Sequence, residues 1–232
     1  MVMIEASNVK EYLQAYLCGK AGYTQEGLRS LDWRNANLEW IDLSHLDLEG
    51  VDMSNANLQN ADLSYANLRN AILTNANLSN AVLRHTQLEQ AKLDRADLSY
   101  ANLEYSDLTN ATLLGVKLTN ALLRGAELVG AEIAIDGVDV PFIWNIDSCI
   151  LEQLKTWGRL NMSNWTTDKR TYCRAMWAIH LAGVHGYTLM EKVGIQAAAA
   201  LLYWQSGSHP VPDWYDDNEA AIKDMECRSR SY

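Results

Sequence analysis

The sequence predicts a β-solenoid flanked by helical segments, and three observations carry that prediction. A leucine recurs every five residues from Leu38 to Leu128, broken only by Met53. Two residues before each of these stands a small apolar residue, usually alanine, with Ile41, Leu46, Val51, Thr86, Ser106 and Val116 in its place at the exceptions. The slots between them carry Asn, Asp, Ser, Thr, Arg and Gln, as in the run NANLQNADLSYANLRNA. Looser repeats extend the series to Leu28 and Trp33 on one side and to Ile133 on the other.

A period of five fits neither regular element. A helix advances about 100° per residue, so leucines five apart would drift by roughly 140° each time and never form one stripe. In a flat strand, alanine and leucine two apart share a face, but the odd step of five sends the next pair to the opposite face. Both sets stay inside only if the chain turns by about 90° every five residues. Four turns then close a coil of about twenty residues, and stacked coils pair their backbones at about 4.8 Å spacing. Leucine fills the middle of each side and alanine lies near each corner. Aspartates in the slot before leucine are read as bonding to the turn backbone, a structural role.

Residues 1–27 read as a short helical cap. Val9, Tyr12, Leu13, Tyr16 and Leu17 fall at helical spacing, Ser7 can serve as N-cap, and Gly19 with Gly22 ends the element. The first coil of a solenoid exposes unpaired backbone and a cut core, which a cap must cover. The solenoid occupies 28–136. Past it the period stops, and six of the eight tryptophans lie between Trp144 and Trp214. Helices are read near 149–160, 168–183, 188–205 and 218–227, making 137–232 an α-helical domain. Thr188 and Glu191 form a capping box for the third helix, and Gly207 follows its end. Leu114, Leu122, Val129 and Ile135 fall in outward slots, so this domain is expected to pack over and cap the last coils.

The tandem A-(D/N)-L-x-x pattern resembles the pentapeptide-repeat family over about residues 28–135. The resemblance implies a right-handed quadrilateral β-helix, here a rod roughly 25 Å long at the spacing of paired strands. It also implies action through protein contacts. Members are abundant in bacteria, notably cyanobacteria, where some act in regulation. The helical region resembles no family that we name.

The bulk properties exclude several classes. A net charge of −10 argues against nucleic-acid or anionic-membrane partners. Cys18, Cys149, Cys173 and Cys227 are scattered without CxxC spacing, which fits reduced cytoplasmic thiols rather than a zinc site. The N-terminus lacks a secretory pattern, and AAAALLYW is too short to span a membrane. No P-loop, GxSxG or HExxH occurs, and no cofactor is expected. His180 and His185 lie five apart, a poor spacing for two ligands on one helix.

Stacking residues at an interval of twenty gives columns along the rod. One column reads His45, Tyr65, His85, Tyr105, and the neighbouring corner reads Trp40, Asn60, Asn80, Tyr100. Beside them Arg84, Glu104 and Arg124 alternate in sign. Trp40, His45, Tyr65, His85, Tyr100 and Tyr105 are therefore the candidate partner-binding residues of a non-enzymatic interaction module, since aromatics with arginine favour protein interfaces. The competing readings are a stacking ladder or a surface covered by the helical domain. That domain is expected to cap, dock a partner or mediate self-association.

Two other functions compete. Some family members resemble duplex DNA in shape and charge and bind type II topoisomerases such as gyrase. Residues 28–135 carry fourteen acidic and eight basic side chains, a net of −6. A 25 Å length of duplex would bear about 15 charges. Members of that kind also dimerise through the C-terminal end of the coil and carry interrupting loops, neither of which this sequence suggests. An enzyme or metal site would have to sit in the helical domain, around His209–Tyr215 or His180 and His185.

Overall fold

The computed structural model describes residues 9–138, 140, 178–179, 181–207, 211–212 and 218–229. Parallel bridges join residues twenty apart in four columns, beginning with Asn37 to Asn57, Asp42 to Asp62, Asp47 to Asn67 and Asp52 to Ile72. Each side of a coil is one five-residue unit, and its bonds show why the period works. The Leu38 amide donates to the Asn57 carbonyl at 2.7 Å, and the Asn57 amide donates back to Ala36 at 2.9 Å. The Ile41 amide then closes a turn onto the Leu38 carbonyl at 3.2 Å. The third residue of these turns has φ near +60°, for example 58° at Asn60 and 61° at Tyr65. A positive φ at that position is what a type II turn requires. In the last coil the pairing lengthens into two short parallel strands, β1 (Thr112–Leu114) and β2 (Glu132–Ala134), with Leu113 opposite Ile133.

The leucine and alanine series fills the bore. From Leu38 to Leu128 no leucine of the series is more than 3 % exposed, and Met53 is fully buried among them. Thr86 and Ser106 are the two buried hydroxyls of the alanine slot, and both are satisfied. Thr86 Oγ1 donates to the Leu63 carbonyl and Ser106 Oγ to the Leu103 carbonyl, each at 2.8 Å. Outside, Asp and Asn before leucine accept from the turn amide two residues on, as Asp62 does from Ser64 at 2.9 Å.

Two helices cover the first coil, α1 (Val9–Leu17) and α2 (Gln25–Arg29). Val9, Leu13 and Leu28 are buried, and the fully buried Trp33 donates its indole N–H to the Leu28 carbonyl at 2.9 Å. The Gln25 side-chain amide donates to the Asp47 carbonyl on the open edge of the coil, and Arg29 pairs with the Asp47 carboxylate. Thr24 is the N-cap of α2, its hydroxyl accepting from the Gly27 amide at 3.0 Å. Ser7 lies outside the described residues.

Beyond the coil, α3 (Gly183–Val193), α4 (Ile195–Gln205) and α5 (Asn218–Ser229) are helical. The helix expected near 149–160 and most of that near 168–183 lie outside the described residues. The expectation of one helix from 188 to 205 is wrong. Thr188 lies inside α3, where its hydroxyl donates to the Val184 carbonyl at 3.0 Å, so it caps nothing. Gly194, at φ 84°, breaks the run into two helices.

That break serves the end of the coil. Within the rod a turn amide donates to the coil above, as Tyr100 does to Thr119 and Tyr105 to Arg124. In the last coil the Asn120 amide donates instead to the Val193 carbonyl at 2.7 Å, and the Gly125 amide to the Val211 carbonyl at 3.0 Å. The Val211 amide returns a bond to Ala126 at 3.0 Å, so this residue takes the place of a further strand. Ile135 is buried there, but Leu114 and Val129 remain 46 % and 48 % exposed. The end of the coil is thus bonded by the C-terminal segment as expected, while Leu114 and Val129 of the four outward apolar residues stay uncovered. The bonds from Val193 and Val211 fall at Asn120 and at Gly125–Ala126, away from those two side chains.

Candidate functional site

All six candidate residues occupy the left-handed turn slot. Their φ values are 60° at Trp40, 61° at His45, Tyr65 and Tyr100, 55° at His85 and 58° at Tyr105. Elsewhere on the rod that slot is mostly filled by Asn, as at 55, 60, 70, 75, 80 and 110, or by Gly, as at 50 and 115, with Gln90 and Arg95 as the long-chain exceptions. Asn and Gly tolerate the conformation, whereas a bulky side chain costs about 1–2 kcal/mol there.

The structure divides the six into two groups. His45, Tyr65, His85 and Tyr105 stack in one ladder, with ring centres 5.0, 4.8 and 5.2 Å apart and planes within 12° of parallel. The coil spacing sets this contact, because one turn advances the chain by about the thickness needed for stacked rings. At the C-terminal end the Arg124 guanidinium lies 5.1 Å from the Tyr105 ring centre. It pairs with Glu104 at 2.8 Å, and Arg84 approaches the same carboxylate at 3.6 Å. Glu104 is buried between its two cations. The ladder ends there because residue 125 is glycine. A Cβ on Gly125 would stand 2.4 Å from the Tyr105 ring.

Trp40 and Tyr100 do not join the ladder. They lie on the neighbouring corner, 73 % and 58 % exposed, with Asn60 and Asn80 between them in the column. The Trp40 indole N–H donates to Glu39 at 3.1 Å. Nearby Asp42 accepts from the Ser44 hydroxyl at 2.7 Å and from its amide at 2.9 Å, and these bonds hold its carboxyl below the usual range. A shallow, largely open cleft of about 350 Å³ lies between this corner and α1, lined by Leu13, Leu17 and Cys18 from the helical side and by Trp40, Ile41 and Asp42 from the coil. The repeat pattern gives no sign of this cleft, since it depends on how α1 sits against the coil.

Among the described residues there is no cluster of three or more His, Cys, Asp or Glu able to hold a metal ion. His185 is exposed on α3; His180, Cys149, Cys173 and most of His209–Tyr215 lie outside the described residues. No described helix is long and apolar enough to cross a membrane.

Five overlapping segments spanning 28–133 match the profile described as Pentapeptide repeats (8 copies). Comparison with curated proteins gives no match. Among solved structures, the chain is similar to the pentapeptide repeat protein Rfr23 from the cyanobacterium Cyanothece 51142. Identity is 43 % over 38 % of this chain and 60 % of that one, with a TM-score of 0.38. It is also similar to HetL, a pentapeptide repeat protein involved in heterocyst differentiation regulation in Nostoc sp. strain PCC 7120. There identity is 29 %, covering 56 % of this chain and 70 % of that one, at a TM-score of 0.43. Full-length QnrB1, a plasmid-mediated fluoroquinolone resistance protein, is 18 % identical over 57 % of this chain and 76 % of its own, at 0.27.

Proposed function

From its membership, over residues 28–133, of the pentapeptide-repeat family, we propose that the chain is a non-enzymatic protein-interaction module. Its rod is a right-handed, four-sided β-helix of the kind that family forms. It offers Trp40, His45, Tyr65, His85, Tyr100 and Tyr105 to a protein partner in the cytoplasm. The C-terminal helices close the rod and supply a second surface for docking or self-association. No cofactor takes part.

One observation carries the reading: six aromatic or imidazole side chains stand where asparagine or glycine would make the same turn without strain. Exposed tyrosine and tryptophan held on a rigid backbone lose little conformational freedom on binding, and such residues dominate interface energetics. The acidic surface, at a net charge of −10, favours a protein partner over nucleic acid or an anionic membrane.

The test is capture from the native host with the biotinylated full chain and a variant carrying Tyr65→Asn and Tyr105→Asn. Asparagine is chosen because the slot accepts it at Asn60 and Asn80. The expected result is loss of one or more specific partners with the circular dichroism spectrum unchanged. If the variant keeps its partners but loses its fold, the rings are a structural ladder. If neither changes, the proposal falls.

A further inference from the structure

We propose that the cleft between α1 and the Trp40 corner of the first coil receives an arginine side chain, flanked by aliphatic residues, from a partner protein. The inference rests on the interaction-module reading and specifies one of its contacts. Trp40 is the candidate residue that the rod itself explains least. Its backbone is held at φ 60°, its side chain is 73 % exposed, and the next residue in its column is Asn60, so it gains no stacking partner there.

What surrounds it has the make-up of a guanidinium site. The indole supplies an aromatic face, on which arginine stacks more readily than lysine because its planar cation is weakly hydrated. Glu39 and Asp42 stand on the same wall, and the Trp40 indole N–H already orients Glu39 through a 3.1 Å bond. Asp42 is fixed through one oxygen by Ser44, an arrangement that presents a charged carboxylate in a defined direction. Leu13, Leu17 and Ile41 provide apolar surface for the stem of the incoming side chain and for its aliphatic neighbours. Leu17 is 57 % exposed at the mouth of the cleft. Lys10 also lines the cleft and would compete with an incoming cation for the two carboxylates.

The probe is the peptide acetyl-Leu-Arg-Leu-amide, with citrulline in place of arginine as the neutral control of the same shape. Binding to the full chain is read from the indole N–H resonance of Trp40, assigned by its loss in Trp40→Phe. The arginine peptide should give a saturable shift, and the citrulline peptide should bind about fivefold or more weakly. Asp42→Asn should weaken the arginine peptide by a similar factor. Asparagine keeps the acceptor of the Ser44 bond, and Asn stands in the equivalent slot at Asn57 and Asn77. Lys10→Ala should tighten it.

Equal binding of the two peptides, absence of a shift, or indifference to Asp42→Asn would each overturn the assignment. Trp40→Phe in the host capture separates the two levels. If the tyrosine variant loses its partner while Trp40→Phe and Asp42→Asn retain theirs, the module stands and the arginine site falls.

Discussion

Replacing Gly125 by alanine tests whether the ladder is a packed object with a defined end. The substitution has two separable effects. Its backbone is held at φ 67°, so any side chain there costs about 1–2 kcal/mol. Its Cβ would also fall 2.4 and 2.6 Å from two carbons of the Tyr105 ring, which must then swing away. Moving that ring sacrifices the His85 stack, worth about 0.5–1.5 kcal/mol, and the Arg124 cation–π contact, worth about 0.5–1 kcal/mol. Gly50 supplies the control, with φ 71° and nothing within 4 Å of its Cβ position. Urea unfolding should therefore place Gly125→Ala about 1–2.5 kcal/mol below Gly50→Ala. In a chain of this size that is roughly 2–10 °C in Tm. In a Tyr105→Ala background the excess should vanish, closing a double-mutant cycle. If the two glycine variants are equally stable with Tyr105 present, the ring does not occupy the space above residue 125, and the ladder has no such end.

Other contacts carry expected outcomes of their own. The Asp47 carboxyl is held below its usual range chiefly by its bond from Arg29. A depressed pKa contributes stability above the unfolded value, about 3.9, that is lost as pH falls through the lower folded value. Hydrogen-exchange protection factors of α1 and α2, corrected for the intrinsic rate, should therefore fall below about pH 4 in the parent and change less in Asp47→Asn. Val211→Pro deletes the amide that donates to Ala126 and should cost about 1–3 kcal/mol. By uncovering a strand edge it should also promote self-association, seen as earlier elution on size-exclusion chromatography. The full chain should leave gyrase supercoiling unaffected at concentrations that saturate a DNA mimic, because a net −6 over the rod is far below the roughly 15 charges of an equal length of duplex.

The coil is legible in the sequence because its period converts directly into space. Residues twenty apart become neighbours, so Arg69 meets Glu89 across one coil at 2.8 Å, and Lys117 meets Asp97 at 3.2 Å. The same arithmetic aligns His45 with Tyr105. It does not reveal that the aromatic residues sit at positive φ, because an x in the repeat carries no mark of the turn it occupies. The helical region is harder. Thr188 and Glu191 satisfy a capping pattern, yet the helix begins at Gly183, and the stop comes at Gly194, where the chain must release the Val193 carbonyl to Asn120. Pairing with a distant edge outweighs a local cap worth about 1 kcal/mol, and no local pattern reports such pairing. The cleft beside Trp40 escapes the sequence for a related reason: it is formed by two elements whose relative placement the period does not determine.

The energies involved bear on what the aromatic flank is for. Four ring-bearing residues of the ladder stand in a conformation costing about 1–2 kcal/mol each. Their three stacks return about 0.5–1.5 kcal/mol each. Stacking, with the Arg124 contact on Tyr105 adding about 0.5–1 kcal/mol, therefore offsets much of the strain, while an asparagine column such as Asn55 and Asn75, whose side chains bond at 3.3 Å, avoids most of it. Trp40 and Tyr100 lack even that offset, since asparagine separates them in their column. The two most exposed rings of the six are the two outside the stack. Trp40 and Tyr100, which carry the turn strain with no stacking return, are therefore where the proposed interface is tested most sharply.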